Sequence, residues 1–136
     1  MHMEMPLALI IEDHLDIALT YAEALSEAGY EVSIIRRGDV AMKRLAATVP
    51  ALVVLDLHLP VVEGGHLLAR IEHDTRLADT RVIVVTAHSE KVQKLSSRAD
   101  LLLFKPVSYE QIRDLAIRLR PTAQVTGDVA SQPSQA

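Results

Sequence analysis

Ala51-Leu52-Val53-Val54-Leu55-Asp56-Leu57-His58-Leu59-Pro60 is the stretch that decides the fold. Its opening run of five apolar residues, rich in Val and Leu, reads as a strand covered on both faces, the pattern of a parallel sheet. The run closes on a carboxylate, and an unpaired charge at the rim of an apolar core is costly. Pro60 has no N–H to give and stops further pairing. The strand therefore delivers Asp56 to the crevice beyond the sheet edge, and whatever else reaches that crevice sets the chemistry.

Working outward, Leu7–Ile11 is a first buried strand that also ends in acid, at Glu12-Asp13. Asp16 is the expected N-cap of a helix in which Ile17, Ala18, Tyr21, Ala22 and Leu25 recur at helical spacing. Gly29 supplies the left-handed position past its end. Val32 and Ile34 alternate with polar neighbours in a short second strand. Asp39 is the expected cap of a helix carrying Val40, Leu45 and Ala46, which Pro50 closes. Beyond Asp56, a loop through Gly64-Gly65 leads to a helix with Leu67, Leu68 and Ile71, and Asp74–Thr80 reads as a turn. Arg81–Thr86 is a fourth strand, β-branched almost throughout. A short helix over Glu90–Ser97 precedes a fifth strand, Leu101–Phe104. Ser108 and Gln111 have capping-box spacing and open a last helix faced by Ile112, Leu115, Ala116 and Leu119. Strand and helix alternating five times predicts an α/β fold, a doubly wound five-stranded parallel sheet. Residues 1–120 make one domain, with Met1-His2-Met3 set aside. The Ser/Gln/Pro/Gly-flavoured 121–136 is expected to be a flexible tail or the start of a linker.

The totals narrow the function. A chain of 136 residues fits a single domain with a real core. No apolar run approaches the ~20 residues that cross a bilayer, and no signal segment is recognisable. Without Cys, disulfides and thiolate metal sites are excluded, which fits a cytoplasmic location. A net charge of −4 argues against gripping nucleic acid through its phosphates, and three Tyr with one Phe are too few for base stacking.

Ligands of open α/β sheets bind beyond the carboxyl ends of the strands. Four strands here end in a polar group: Glu12 and Asp13, Asp56, Thr86, and Lys105. Three gathered carboxylates repel one another, which a divalent cation relieves, and oxygen ligation without Cys or clustered His favours Mg²⁺ or Mn²⁺. Lys105 suits a carboxylate or phosphoryl oxygen. The Thr86 hydroxyl and the Ala87 amide add donors. These parts suit phosphoryl transfer to Asp56, a nucleophile already ionised at neutral pH that needs no general base.

On these marks the sequence resembles the receiver domain of two-component response regulators. Glu12-Asp13 follow strand one, Asp56 strand three, with Leu59-Pro60 and Gly64 at the family's spacing. Thr86-Ala87 follow strand four and Lys105-Pro106 strand five. The resemblance implies a flavodoxin-like receiver fold with strand order 2-1-3-4-5. It also implies phosphorylation of Asp56 by a sensor histidine kinase or phosphotransfer protein in a two-component phosphorelay. Asp13, Asp56 and the backbone carbonyl of His58 would bind the cation directly, and Glu12 through water. Thr86 would swing toward the acyl phosphate, and the peptide bond before Pro106 would be cis. A downstream protein target, or an output domain outside this chain, would read the change, and a homodimer is open. Thr86 and Lys105 are closer in sequence than is usual, which predicts a shortened fourth helix. Leu102 stands three residues before the lysine, where the family usually has Tyr or Phe; Phe104 is one before it.

Other readings compete. His58 and His88 lie two residues beyond Asp56 and Thr86, where they either tune hydrolysis of the acyl phosphate or are plain loop residues. His14, His66 and His73 receive no role. A pseudo-receiver would keep the fold without the chemistry. A phosphatase with an aspartyl-phosphate intermediate would carry a second Asp where His58 stands. A flavoprotein would need a hydroxyl-rich loop where His14-Leu15-Asp16-Ile17 stands. The glycines lack the spacing of a phosphate loop.

Overall fold

The computed structural model describes residues 4–59, 62, 64–87 and 99–121. In chain order the elements are β1 (Leu7–Ile11), α1 (Leu15–Glu27), β2 (Glu31–Ile35), α2 (Gly38–Ala47), β3 (Leu52–Asp56), α3 (Gly64–Glu72), a 3₁₀ turn (Thr75–Leu77), β4 (Arg81–Thr86), β5 (Leu101–Phe104) and α4 (Tyr109–Arg118). The five strands form one sheet in the order β2-β1-β3-β4-β5, every neighbouring pair parallel. The expected Glu90–Ser97 helix, its shortening, and the 122–136 tail lie outside the described residues.

Side-chain alternation along each strand splits the core into two layers. Leu9, Ile11, Val53, Leu55, Val82 and Val84 meet Leu45, Leu67, Leu68 and Ile71 of α2 and α3. Ala8, Ile10, Leu52, Val54, Ile83 and Val85 meet Ala18, Tyr21, Leu25, Ile112 and Ala116 of α1 and α4. Every residue of β3 is buried, as a strand with helices on both faces requires. The Tyr30 hydroxyl donates to the Ala116 carbonyl at 2.8 Å inside the second layer. It satisfies a buried polar pair and ties α4 to the start of β2.

Helix starts differ from expectation in two places. α1 begins at Leu15, with His14 as N-cap and no side-chain cap bond, so Asp16 lies inside the first turn. There its charge favours the positive end of the helix dipole. α2 begins at Gly38, and Asp39 in its first turn pairs with Arg37 through two 3.0 Å hydrogen bonds. Glycine is required at 38, because a Cβ there would stand 2.2 Å from the Val62 carbonyl oxygen. Gly29 takes the left-handed conformation, φ +101°, after α1. The Asp74–Thr80 turn contains the 3₁₀ segment, capped by Asp74 accepting from the Arg76 amide at 3.0 Å. Ser108 and Gln111 form both bonds of a capping box.

Candidate functional site

β1 and β3 are adjacent and parallel, with Ile11 opposite Leu55. Their carboxyl ends therefore lie side by side, and the residues that follow converge. Glu12 and Asp56 are 1 % and 4 % exposed. Two acids so deeply buried need a partner, and Lys105 supplies it. Its Nζ lies 3.0 Å from Glu12 Oε1 and 3.5 Å from Asp56 Oδ2. The Lys105 amide donates to the Thr86 carbonyl at 2.9 Å, which fixes the backbone from which that side chain reaches. The Lys105–Pro106 bond is cis, as the resemblance implied.

Asp56 is held from its own loop as well, since the His58 amide donates to Oδ1 at 3.1 Å. Gly64 lets α3 start against this loop: its amide bonds the Leu57 carbonyl at 3.1 Å. A Cβ at 64 would come within 2.6 Å of both the Asp56 carbonyl oxygen and Leu57 Cα. The Asp56 carboxyl is pushed above the usual aspartate value, chiefly by burial. The His58 amide opposes the rise, Glu12 and Asp13 add to it, and Lys105 opposes it.

Asp13 lies at the mouth of the cluster. Among the described residues its Oδ1 is the one buried side-chain oxygen without a hydrogen bond. The imidazole Nδ1 of His14 approaches to 3.5 Å, which is an ion pair only when that ring is protonated. A carboxylate oxygen sequestered without a donor, beside two further carboxylates, fits a hard divalent cation. Glu12, Asp13 and His14 offer ligand atoms within 4.8 Å of one another.

The structure thus gathers Glu12, Asp56 and Lys105 directly and sets Asp13 beside them. Thr86, wholly buried, ends β4 next to the Asp56 strand, whose residue 56 pairs in register with Val85. Ala87 and the His58 side chain are exposed. His88 and Pro60 lie outside the described residues. Three neighbours had no role in the sequence reading. His14, its side chain 70 % exposed, stands 3.4 Å from Glu12 Oε2. Arg36 reaches the Asp13 carbonyl. Tyr21, one of the apolar stripe of α1, is pushed to about 12 by burial and by the charges of Glu12 and Asp56, so its phenol stays neutral beside them. Only the stripe was readable for Tyr21; nothing local marks a contact between loops.

A doubly wound parallel sheet with an acidic cluster and a lysine at its carboxyl edge is a flavodoxin-like α/β domain, with its polar site at the ends of the adjacent strands β1 and β3, where the strand order reverses direction. More particularly, the chain belongs to the response regulator receiver domain family, whose model matches residues 8–117. It is 35 % identical over 111 residues to the DNA-binding dual master transcriptional regulator RpaA of Synechocystis, covering 79 % of this chain and 46 % of that protein. It is 32 % identical over 111 residues to the phosphate regulon transcriptional regulatory protein PhoB of Rhizobium meliloti, covering 79 % of this chain and 49 % of that protein. The chain thus spans about half the length of these relatives. The chemotaxis response regulator CheY4 of Vibrio cholerae superposes with a TM-score of 0.75 over 85 % of this chain and 98 % of its own, at 21 % identity, which speaks for the fold alone. Membership implies phosphorylation-based signalling by a regulatory domain. No helix among the described residues is long and apolar enough to cross a membrane.

Proposed function

We propose that Asp56 is the phosphoacceptor of a two-component phosphorelay and that its modification shifts the domain between two conformations. The observation that carries this reading is Lys105 Nζ bridging Glu12 Oε1 and Asp56 Oδ2. An ammonium hydrogen-bonded to Glu12 and ion-paired with Asp56 at 3.5 Å is already placed where a phosphoryl group on Asp56 would need neutralising.

In the transfer, an Asp56 oxygen attacks the phosphorus of a phosphohistidine. The P–N bond breaks as the new P–O bond forms, and the electron pair leaves with the imidazole. Asp56 needs no deprotonation beyond its own ionisation. A bound Mg²⁺ or Mn²⁺ supplies charge neutralisation at the transferring oxygens; Asp13, Asp56 and the His58 carbonyl are the residues to hold it, with Glu12 acting through water. Lys105 keeps its place by its bond to Glu12 and reaches one phosphoryl oxygen. The Thr86 hydroxyl and Ala87 amide donate to others. The partner upstream is a sensor histidine kinase or phosphotransfer protein. Downstream is a protein target or an output domain outside this chain, and the setting is cytoplasmic.

Incubation with Mg²⁺ and acetyl phosphate tests this by intact mass. The wild type gains one phosphoryl group, and Asp56→Asn gains none. A wild type that stays unmodified, with Mg²⁺ present, leaves the pseudo-receiver reading standing. The same assay followed over time examines the loop histidines. His58→Ala and His88→Ala change the decay rate of the phosphorylated form, whereas unchanged rates make both plain loop residues.

A further inference from the structure

Two loops are fastened together beside the acid pair. Arg36, the first residue after β2, directs its guanidinium fork at the backbone carbonyl of Asp13, with Nε at 3.3 Å and Nη2 at 3.1 Å. One residue earlier, the Ile35 carbonyl accepts from the Glu12 amide at 3.0 Å. The end of β2 therefore grips Glu12-Asp13 through three hydrogen bonds, two of them from one side chain. Arg37 does not share the task, because its Nε and Nη2 donate to Asp39 in its own loop. A planar fork that spends two N–H groups on one carbonyl fixes the peptide plane between Asp13 and His14. That plane carries the His14 amide, which donates to Glu12 Oε2 at 3.1 Å. Asp13 is also the residue whose Oδ1 is buried without a hydrogen bond. A ligand oxygen aimed before the cation arrives binds it more tightly than one that must first be ordered.

We propose that Arg36 is a positioning residue for the divalent cation of this site, acting through the Asp13 backbone. This rests on the reading of Glu12, Asp13 and Asp56 as a cation site. The inference is testable because the two things Arg36 can do to a cation have opposite signs. As a positive charge it repels Mg²⁺, so its removal tightens binding. As a brace for Asp13 it favours Mg²⁺, so its removal weakens binding.

The experiment is calorimetric titration of Mg²⁺ into the full chain as wild type, Arg36→Ala, Arg36→Lys and Arg37→Ala. Bracing predicts that Arg36→Ala binds roughly tenfold more weakly, the lower end of what loss of a group supporting a metal ligand costs. Arg36→Lys, which keeps the charge but not the fork, recovers only part of the affinity, and Arg37→Ala stays near wild type. A second readout needs no metal: amide hydrogen exchange at His14 speeds up in Arg36→Ala without a matching fall in Tm. Equal or tighter Mg²⁺ binding by Arg36→Ala, or full recovery by lysine, overturns the inference while leaving the site reading intact. A wild type that binds no Mg²⁺ overturns both.

Discussion

At the scale of single residues the site is a balance of like charges held by one cation. Asp56 has its folded-state pKa raised above the unfolded value, so the folded protein holds that proton more tightly than the unfolded chain. Stability from this group therefore falls as pH rises from the usual aspartate range through the raised value, and the deficit is complete above it. Asn has the same shape and no charge. Without divalent cations, Asp56→Asn should melt higher than the wild type at pH 7 by a few degrees, at roughly 4 °C per kcal/mol for a domain of this size. The gap should close as pH falls through the window, and added Mg²⁺ should stabilise the wild type more than the variant. Melting curves across pH check this, and an Asn variant melting no higher at pH 7 would refute it. The Lys105 ion pair that the variant loses is already counted in the net rise, because burial and the neighbouring acids outweigh it. Asp56, Glu12 and Lys105 were legible in the sequence because an apolar strand ending in charge is conspicuous. Arg36 was not, because its contact spans 23 residues and nothing in Ile35-Arg36-Arg37 points toward Asp13.

At the scale of elements, the strands were legible almost to the residue. β3, β4 and β5 are apolar runs ending on Asp56, Thr86 and Phe104; burial on both faces leaves β3 and β4 little room for slippage, and β5, at the sheet edge and only partly buried, is held by its register with β4. Helix starts were less so. Asp16 and Asp39 carry the composition of a cap but sit in the first turn, where a carboxylate is equally welcome. Only Ser108 caps as read, because Gln111 completes the reciprocal pair: the Gln111 amide bonds Ser108 Oγ at 3.0 Å, and the Ser108 amide bonds Gln111 Oε1 at 2.9 Å. α4 also leans on α1 through Tyr109 and Arg113, which both reach Glu27. Ser108→Ala should cost about 1 kcal/mol, the usual worth of such a cap. Since α4 follows the loop that carries Lys105, amide exchange should rise in its first turn before it rises in β3. Urea unfolding with site-resolved exchange measures both. A loss of stability spread evenly over all elements would show that the cap is not local to α4.

At the scale of the whole molecule the question is how a change at Asp56 leaves the pocket. The fold was readable from alternation alone, whereas the route outward was not, because it depends on which side chains share a face. Thr86 pairs in register with Phe104 on β5, so the two occupy the same face, one strand apart. Leu102, two residues earlier, packs against the α2–α3 layer of the core and is half-buried. Phe104 is 50 % exposed. If Thr86 moves toward a phosphoryl group, Phe104 is the exposed neighbour among the described residues that would respond. Driving an equilibrium from 1:99 to 99:1 needs roughly 5.5 kcal/mol, and a hydrogen bond to a charged group contributes about 1.5–3 kcal/mol. The Thr86 bond alone would therefore give a partial shift, and contacts from Lys105 and a bound cation would have to supply the rest. The chain has one phenylalanine, so a fluorophenylalanine label reports from residue 104 and nowhere else. Mg²⁺ with beryllofluoride should move the fluorine resonance of the wild type, move it less in Thr86→Ala, and leave it unmoved in Asp56→Asn. A resonance that shifts as far in Thr86→Ala as in the wild type would take Phe104 off the route, and an unmoved wild-type resonance would take the β5 end off it altogether.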